Sequence, residues 1–148
     1  MTQLLNQAVV AQVKDVFDKE LKDPVEILFF GAKEDCDYCD DTRQLLDEVA
    51  AISPKISLSI YDLDENSQEA SRYHVDKAPS IVIAAREGDQ FIDYGVRFAG
   101  IPSGHEFSTL IHDVILVSGR DSGLSPKVRT ELRGLAQPIR LQVFVTPT

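Results

Sequence analysis

Apolar residues at Leu5, Val9, Val13, Val16, Phe17 and Leu21 recur at helical spacing, which predicts a helix over residues 4–21. Asp23-Pro24 ends it, because the residue before a proline is pushed out of helical conformation. Residues 25–31 are almost wholly apolar, the pattern of a strand covered on both faces. Helical spacing returns over 37–51 through Leu45, Leu46, Val49 and Ile52, with Asp40 and Asp41 in the first turn, and Pro54 closes the segment. Ile56, Leu58 and Ile60 alternate with Ser57, Ser59 and Tyr61, a strand pattern. Asp64 is placed to cap a short helix running to about Tyr73. Ser80 to Ala85 and Phe91 to Phe98 read as two strands joined by a hairpin turn that contains Gly88-Asp89. After the turn Ile101-Pro102-Ser103-Gly104, a helix carries Phe107, Leu110, Ile111, Val114 and Ile115 at core spacing. The order αβαβαββα predicts a layered α/β domain over residues 1–118.

Residues 119–148 fall outside that unit. Gly119 to Gly123 reads as a linker, Ser125-Pro126 as a capped helix start, and Pro138 to Val145 as a strand. This tail repeats the start of the chain: Lys22-Asp23-Pro24-Val25-Glu26-Ile27-Leu28-Phe29 aligns with Ala136-Gln137-Pro138-Ile139-Arg140-Leu141-Gln142-Val143. Pro24 lies 12 positions before Cys36, and the same step from Pro138 falls just beyond Thr148. The repeat therefore predicts the first helix and strand of an incomplete second unit. The competing reading is a coincidence between two short proline-plus-strand pieces.

The chemistry centres on the only two cysteines, Cys36-Asp37-Tyr38-Cys39, set between a predicted strand and a predicted helix start. A helix N-terminus favours a thiolate at the first cysteine, and the spacing lets the second thiol close a disulfide. Three readings compete: a dithiol redox site, half of a zinc site, and two incidental buried thiols. Zinc takes four ligands, and neither a second cysteine pair nor a paired spacing of His74, His105 and His112 supplies them. Redox chemistry is the preferred reading, with no metal and no cofactor expected. Lys33 favours the thiolate, whereas Glu34, Asp35, Asp37, Asp40 and Asp41 oppose it. Asp40 and Asp41 also suit a helix start. The balance predicts a weakly acidic Cys36 and a reducing couple rather than a strong oxidant.

Bulk properties narrow the class. A net charge of −9 argues against binding nucleic acid. No apolar run reaches the roughly 18 residues of a membrane span. The N-terminus lacks the basic start and apolar block of a signal peptide, so the expected location is cytoplasmic.

The strand, the Cys36-to-Cys39 motif, Lys33 and Ala78-Pro79 ahead of a strand together resemble the thioredoxin/glutaredoxin superfamily. The resemblance implies a cis proline at Pro79 facing the cysteines. It also implies that Ala78 offers its backbone to an extended substrate. A trans proline at a strand start is the alternative that the residues alone leave open. Val96 to Phe107 and Leu141 to Thr148 are similar to the N-terminal unit of the glutaredoxin-like protein disulfide oxidoreductases, which fuse two thioredoxin folds. The N-terminal part of the bacterial alkyl hydroperoxide reductase flavoprotein has a similar tandem plan. Asp37 departs from the proline usual after the first cysteine of glutaredoxins. In the two-unit family much of the exchange work falls to the second motif, which implies a weaker activity for one unit alone.

The resemblance implies a protein disulfide oxidoreductase in which Cys36 attacks, Cys39 resolves and Lys33 assists. Tyr38 is expected either as a substrate-facing wall or as packing. Disulfide-containing protein substrates and a thioredoxin-reductase-like electron donor follow. Ser103-Gly104 reads as a helix cap in preference to a glutathione-carboxylate site. The alternative function is a redox-inactive docking or dimerisation unit, with strand 139–145 seeking a sheet edge in a homodimer.

Overall fold

The computed structural model describes residues 2–146. Its elements are α1 (Gln7–Glu20), β1 (Val25–Gly31), α2 (Cys39–Ala50), β2 (Ile56–Asp62), α3 (Ser67–Arg72), β3 (Ser80–Glu87), β4 (Gln90–Ala99), α4 (His105–Ser118) and α5 (Pro126–Arg133). Up to α4 the predicted order αβαβαββα is the observed one.

The strands form one sheet in the order β2-β1-β3-β4. β1 runs parallel to β2 and antiparallel to β3, and β4 is antiparallel to β3. Every residue of β1 is buried, because this strand is inside the sheet and covered on both faces. One face carries Val25, Ile27 and Phe29 into a core with Phe17 of α1, Leu45, Leu46 and Val49 of α2, and Leu110 and Val114 of α4. The other face places Leu28, Phe30, Val82 and Ala84 against Ala70 of α3 and Tyr73. The one charged member of β1, Glu26, is buried and accepts a hydrogen bond from Ser59 Oγ at 2.5 Å.

Gly88 takes the positive φ of 61° that a two-residue hairpin turn needs at its first position. β4 bulges where the register passes from Ile83↔Val96 to Ala84↔Asp93, leaving Tyr94 and Gly95 without a partner on β3. Asp93 secures the bulge by accepting from Gly95 N at 2.8 Å and from Arg97 at 2.8 and 2.6 Å.

Two expectations need correction. Asp64 does not cap α3. Asn66 holds the N-cap position, and Asp62 Oδ1 instead accepts from the N–H groups of Asp64 and Glu65. The Ser103-Gly104 turn does cap α4, with Gly104 at the N-cap position (φ 60°, ψ −128°) and no side-chain cap bond. The strand predicted over 139–145 joins no sheet among the described residues, and Leu141, Val143 and Phe144 are 85–90% exposed. A strand requires a partner for its backbone groups, and neither edge of the sheet takes this segment in. The predicted helix before it does form. Ser125 Oγ accepts from Val128 N, and Pro126 takes the first turn, yet α5 buries none of its residues.

Candidate active site

β1 ends at Gly31 and delivers the chain to a short loop, residues 32–38, that opens into α2. Cys39 is the first residue of that helix and is buried, whereas Cys36 is half-buried in the loop. The two are joined as a disulfide, with Cα atoms 5.5 Å apart, inside the usual range. The helix begins two residues later than the periodicity predicts, so the motif bends into the first turn from outside. Cys39 N–H donates to Cys36 O at 3.4 Å. Thr42 fixes Tyr38 by donating both its N–H (2.9 Å) and its Oγ1–H (2.6 Å) to the Tyr38 carbonyl. The Tyr38 side chain is 58% exposed beside the disulfide.

Asp35, directly before Cys36, has a left-handed φ of 52°, a conformation that aspartate tolerates better than most residues. The buried sulfur has its own partner: Ala32 N–H donates to Cys39 Sγ at 3.4 Å. Gly31 lies against the same sulfur, since a Cβ there would sit 3.7 Å from Cys39 Sγ.

The Ala78–Pro79 peptide is cis. The β1–β3 pairing ends at Phe30↔Ser80, so Pro79 and Ala78 run on beside the stretch from Gly31 that leads to the cysteines. Pro79 is buried, and its carbonyl accepts from Gly100 N at 2.8 Å. Ala78 and Cys36 pack against the same apolar core. Among the described residues, the Ala78 backbone N–H and carbonyl have no hydrogen-bond partner. The register thus places Ala78 and Pro79 at the start of the strand next to the one that leads to Cys36 and Cys39, and Tyr38 is exposed between the two cysteines.

Lys33 is differently engaged. Its ammonium pairs with Glu65 from the loop after β2, and this hydrogen bond, helped by the Glu65 and Asp62 charges, raises the lysine above its ordinary pKa. The pair lines a cleft with Glu34, Asp35, Asp62 and Asp64. Glu65 is a residue that motif reasoning does not single out. Its only local signal is the acidic run Asp62-Leu63-Asp64-Glu65. No three His, Cys, Asp or Glu side chains among the described residues group in a way suited to a metal ion. No described helix is long and apolar enough to cross a membrane.

No protein-family model matches the chain. A solved protein disulfide oxidoreductase from Aeropyrum pernix is similar, with 25% identity and a TM-score of 0.77, covering 88% of this chain and 55% of that one. The solved alkyl hydroperoxide reductase protein AhpF of Enterococcus faecalis gives 26% identity and a TM-score of 0.77, covering 90% of this chain and 62% of that one. The corresponding alkyl hydroperoxide reductase protein of Staphylococcus epidermidis is 28% identical over 123 residues, 83% of this chain. This chain spans only 21% of that relative's length. The chain has the thioredoxin fold with its Cys-x-x-Cys disulfide in place, and it matches the N-terminal unit of tandem thioredoxin-fold proteins.

Proposed function

We propose that the protein is a thiol–disulfide oxidoreductase working through Cys36 and Cys39. The observation that carries this reading is the asymmetry of the pair: Cys36 is half-buried in a loop, and Cys39 is 7% exposed at a helix start. In the reduced state the Cys36 thiolate attacks a substrate disulfide. A new S–S bond forms, and the displaced substrate thiolate takes up a proton. Cys39 then attacks the Cys36 sulfur, closes the Cys36–Cys39 disulfide and releases the second substrate thiol. Two electrons pass to the substrate, and a thioredoxin-reductase-like donor returns them. Lys33 assists thiolate formation. Tyr38 walls the approach, and the free backbone groups of Ala78 pair with an extended segment of a protein substrate. The carboxylates around the pair favour a reducing couple, nearer to about −270 mV than to about −120 mV.

Residues 1–118 form the working unit, and residues 119–148 begin a second one. The internal repeat and a helix α5 that buries none of its residues support this division. The same exposed apolar side chains, Leu141, Val143 and Phe144, favour a second reading in which the tail is a docking or homodimerising strand. A cytoplasmic location fits both.

Reduction of insulin with dithiothreitol tests the main reading. Cys36→Ser is expected to abolish turnover, and Cys39→Ser to accumulate mixed disulfides. Full turnover by Cys36→Ser would end the proposal.

A further inference from the structure

We propose that Glu65 is a positioning residue that holds the Lys33 ammonium and thereby sets how readily Cys36 gives up its proton. The inference rests on Cys36 being the attacking thiol. Two observations carry it. First, the Lys33 ammonium is committed to the Glu65 carboxylate, and no bond joins it to the cysteine loop among the described residues. Second, Glu65 is held in place by a fixed turn. Asp62 Oδ1 accepts from Asp64 N at 3.0 Å and from Glu65 N at 3.1 Å. Asn66 Oδ1 accepts from Asp62 N at 2.9 Å, and Leu63 N donates to Gly31 O at 3.0 Å. The last bond ties the turn to the end of β1, the strand that delivers the cysteines. Glu65 is thus presented to the active-site loop by the fold itself.

The pair contributes little to folding. Both side chains are more than 60% exposed, and exposed ion pairs are typically worth little. Its effect on the thiol is different in kind. Lys33 is three residues from Cys36, at most roughly 11 Å along the backbone, about one Debye length in ordinary buffer. It is the single cation lining a cleft whose other charges are Glu34, Asp35, Asp62, Asp64 and Glu65. Asp37 in the loop and Asp40 and Asp41 in the first turn of α2 add more negative charge. On the loop before Ala78, Lys77 is paired with Asp76, whose carboxylate offsets it and also feels Arg140. Among the groups of the cleft Lys33 alone favours the Cys36 thiolate, and Glu65 decides how much of the Lys33 charge is felt there.

Iodoacetamide alkylation of reduced Cys39→Ser protein, followed by mass spectrometry from pH 5 to 10, reads the Cys36 thiolate directly. Glu65→Gln is expected to lower the apparent pKa and raise alkylation roughly threefold at a pH below it. Lys33→Gln is expected to slow alkylation, and Glu65→Gln added to Lys33→Gln to change it little further. The Glu65→Gln effect is expected to fade in 1 M salt, where the screening length shrinks to about 3 Å. Asp64→Asn, in the same cleft but unpaired with Lys33, is expected to shift the rate less than Glu65→Gln does. An equal Glu65→Gln effect with and without Lys33, an Asp64→Asn effect as large as that of Glu65→Gln, or no effect of Glu65→Gln overturns the proposal. Alkylation reports the thiol whatever the turnover, so failure of the underlying reading shows separately, as insulin reduction by Cys36→Ser.

Discussion

Replacing Gly31 by alanine tests whether the packing behind the cysteines is as tight as the structure has it. A Cβ at this position would lie 2.9 Å from Phe29 Cε1 and 3.1 Å from Phe29 Cζ. Ordinary carbon contacts fall at about 3.5–4.0 Å, so the ring must retreat by roughly 0.6 Å or more. Phe29 is 3% exposed within the core built from α1, α2 and α4, so the ring has no free space to enter. Forcing an extra methyl into such a core costs about 1–3 kcal/mol. Removing glycine's unfolded-state freedom from a strand returns about 0.5–1 kcal/mol. Packing wins, leaving a net loss of roughly 1–2 kcal/mol. For a chain of this size that lowers Tm by about 3–8 °C. Thermal melts followed by circular dichroism on fully oxidised protein keep the disulfide constant while stability is read. Because the clash is with one ring, the penalty of Gly31→Ala is expected to shrink in a Phe29→Leu background. An unchanged or raised Tm, or an equal penalty in both backgrounds, refutes the reasoning.

Two further predictions concern bonds far apart in the chain. Ser118 is fully buried, and its Oγ accepts from Lys22 N and donates to Asp23 O, both at 2.8 Å. Ser118→Ala strands two backbone groups and is expected to cost about 1–3 kcal/mol, seen as a lower urea midpoint at constant m-value. Burial pushes the Glu48 carboxyl upward, but hydrogen bonds from Gln44, Leu4 and Leu5 outweigh it and hold the group below its ordinary value. A depressed carboxyl stabilises the fold fully above its unfolded value of about 4.3 and loses that contribution as pH falls through the folded value. Glu48→Gln should therefore lower stability at pH 7, and its difference from the parent in urea melts should vanish in acid. A difference that persists at pH 2–3 would contradict this.

Where the sequence carried local information, the reading and the fold agree. The unbroken apolar run of β1 announces a strand covered on both faces, and the helical spacing of α4 announces its buried stripe. The hairpin at Gly88 is legible because glycine alone takes the required φ without cost. What failed was decided by which partner each backbone or side-chain group finds. Asp64 looks like a helix cap, but α3 starts two residues later, with Asn66 at its N-cap position, and the Asp62 carboxylate closes the turn before it by accepting from the N–H groups of Asp64 and Glu65. The 139–145 segment has every residue type a strand favours and still lacks a ladder, because pairing depends on an edge to join. The bulge at Tyr94 and Gly95 follows from the Asp93–Arg97 ion pair, which spacing does not reveal. At the site, the cysteine motif and the proline were legible as residue types. The Glu65 hold on Lys33 was not, since it links two loops 32 positions apart.

The hydrogen bond from Ala32 to the inner sulfur has a consequence for repeated use of the protein. A donor already aimed at that atom is ready to receive negative charge the moment the sulfur–sulfur bond opens. The partner for the released thiolate is thus already in place while the two sulfurs are still joined.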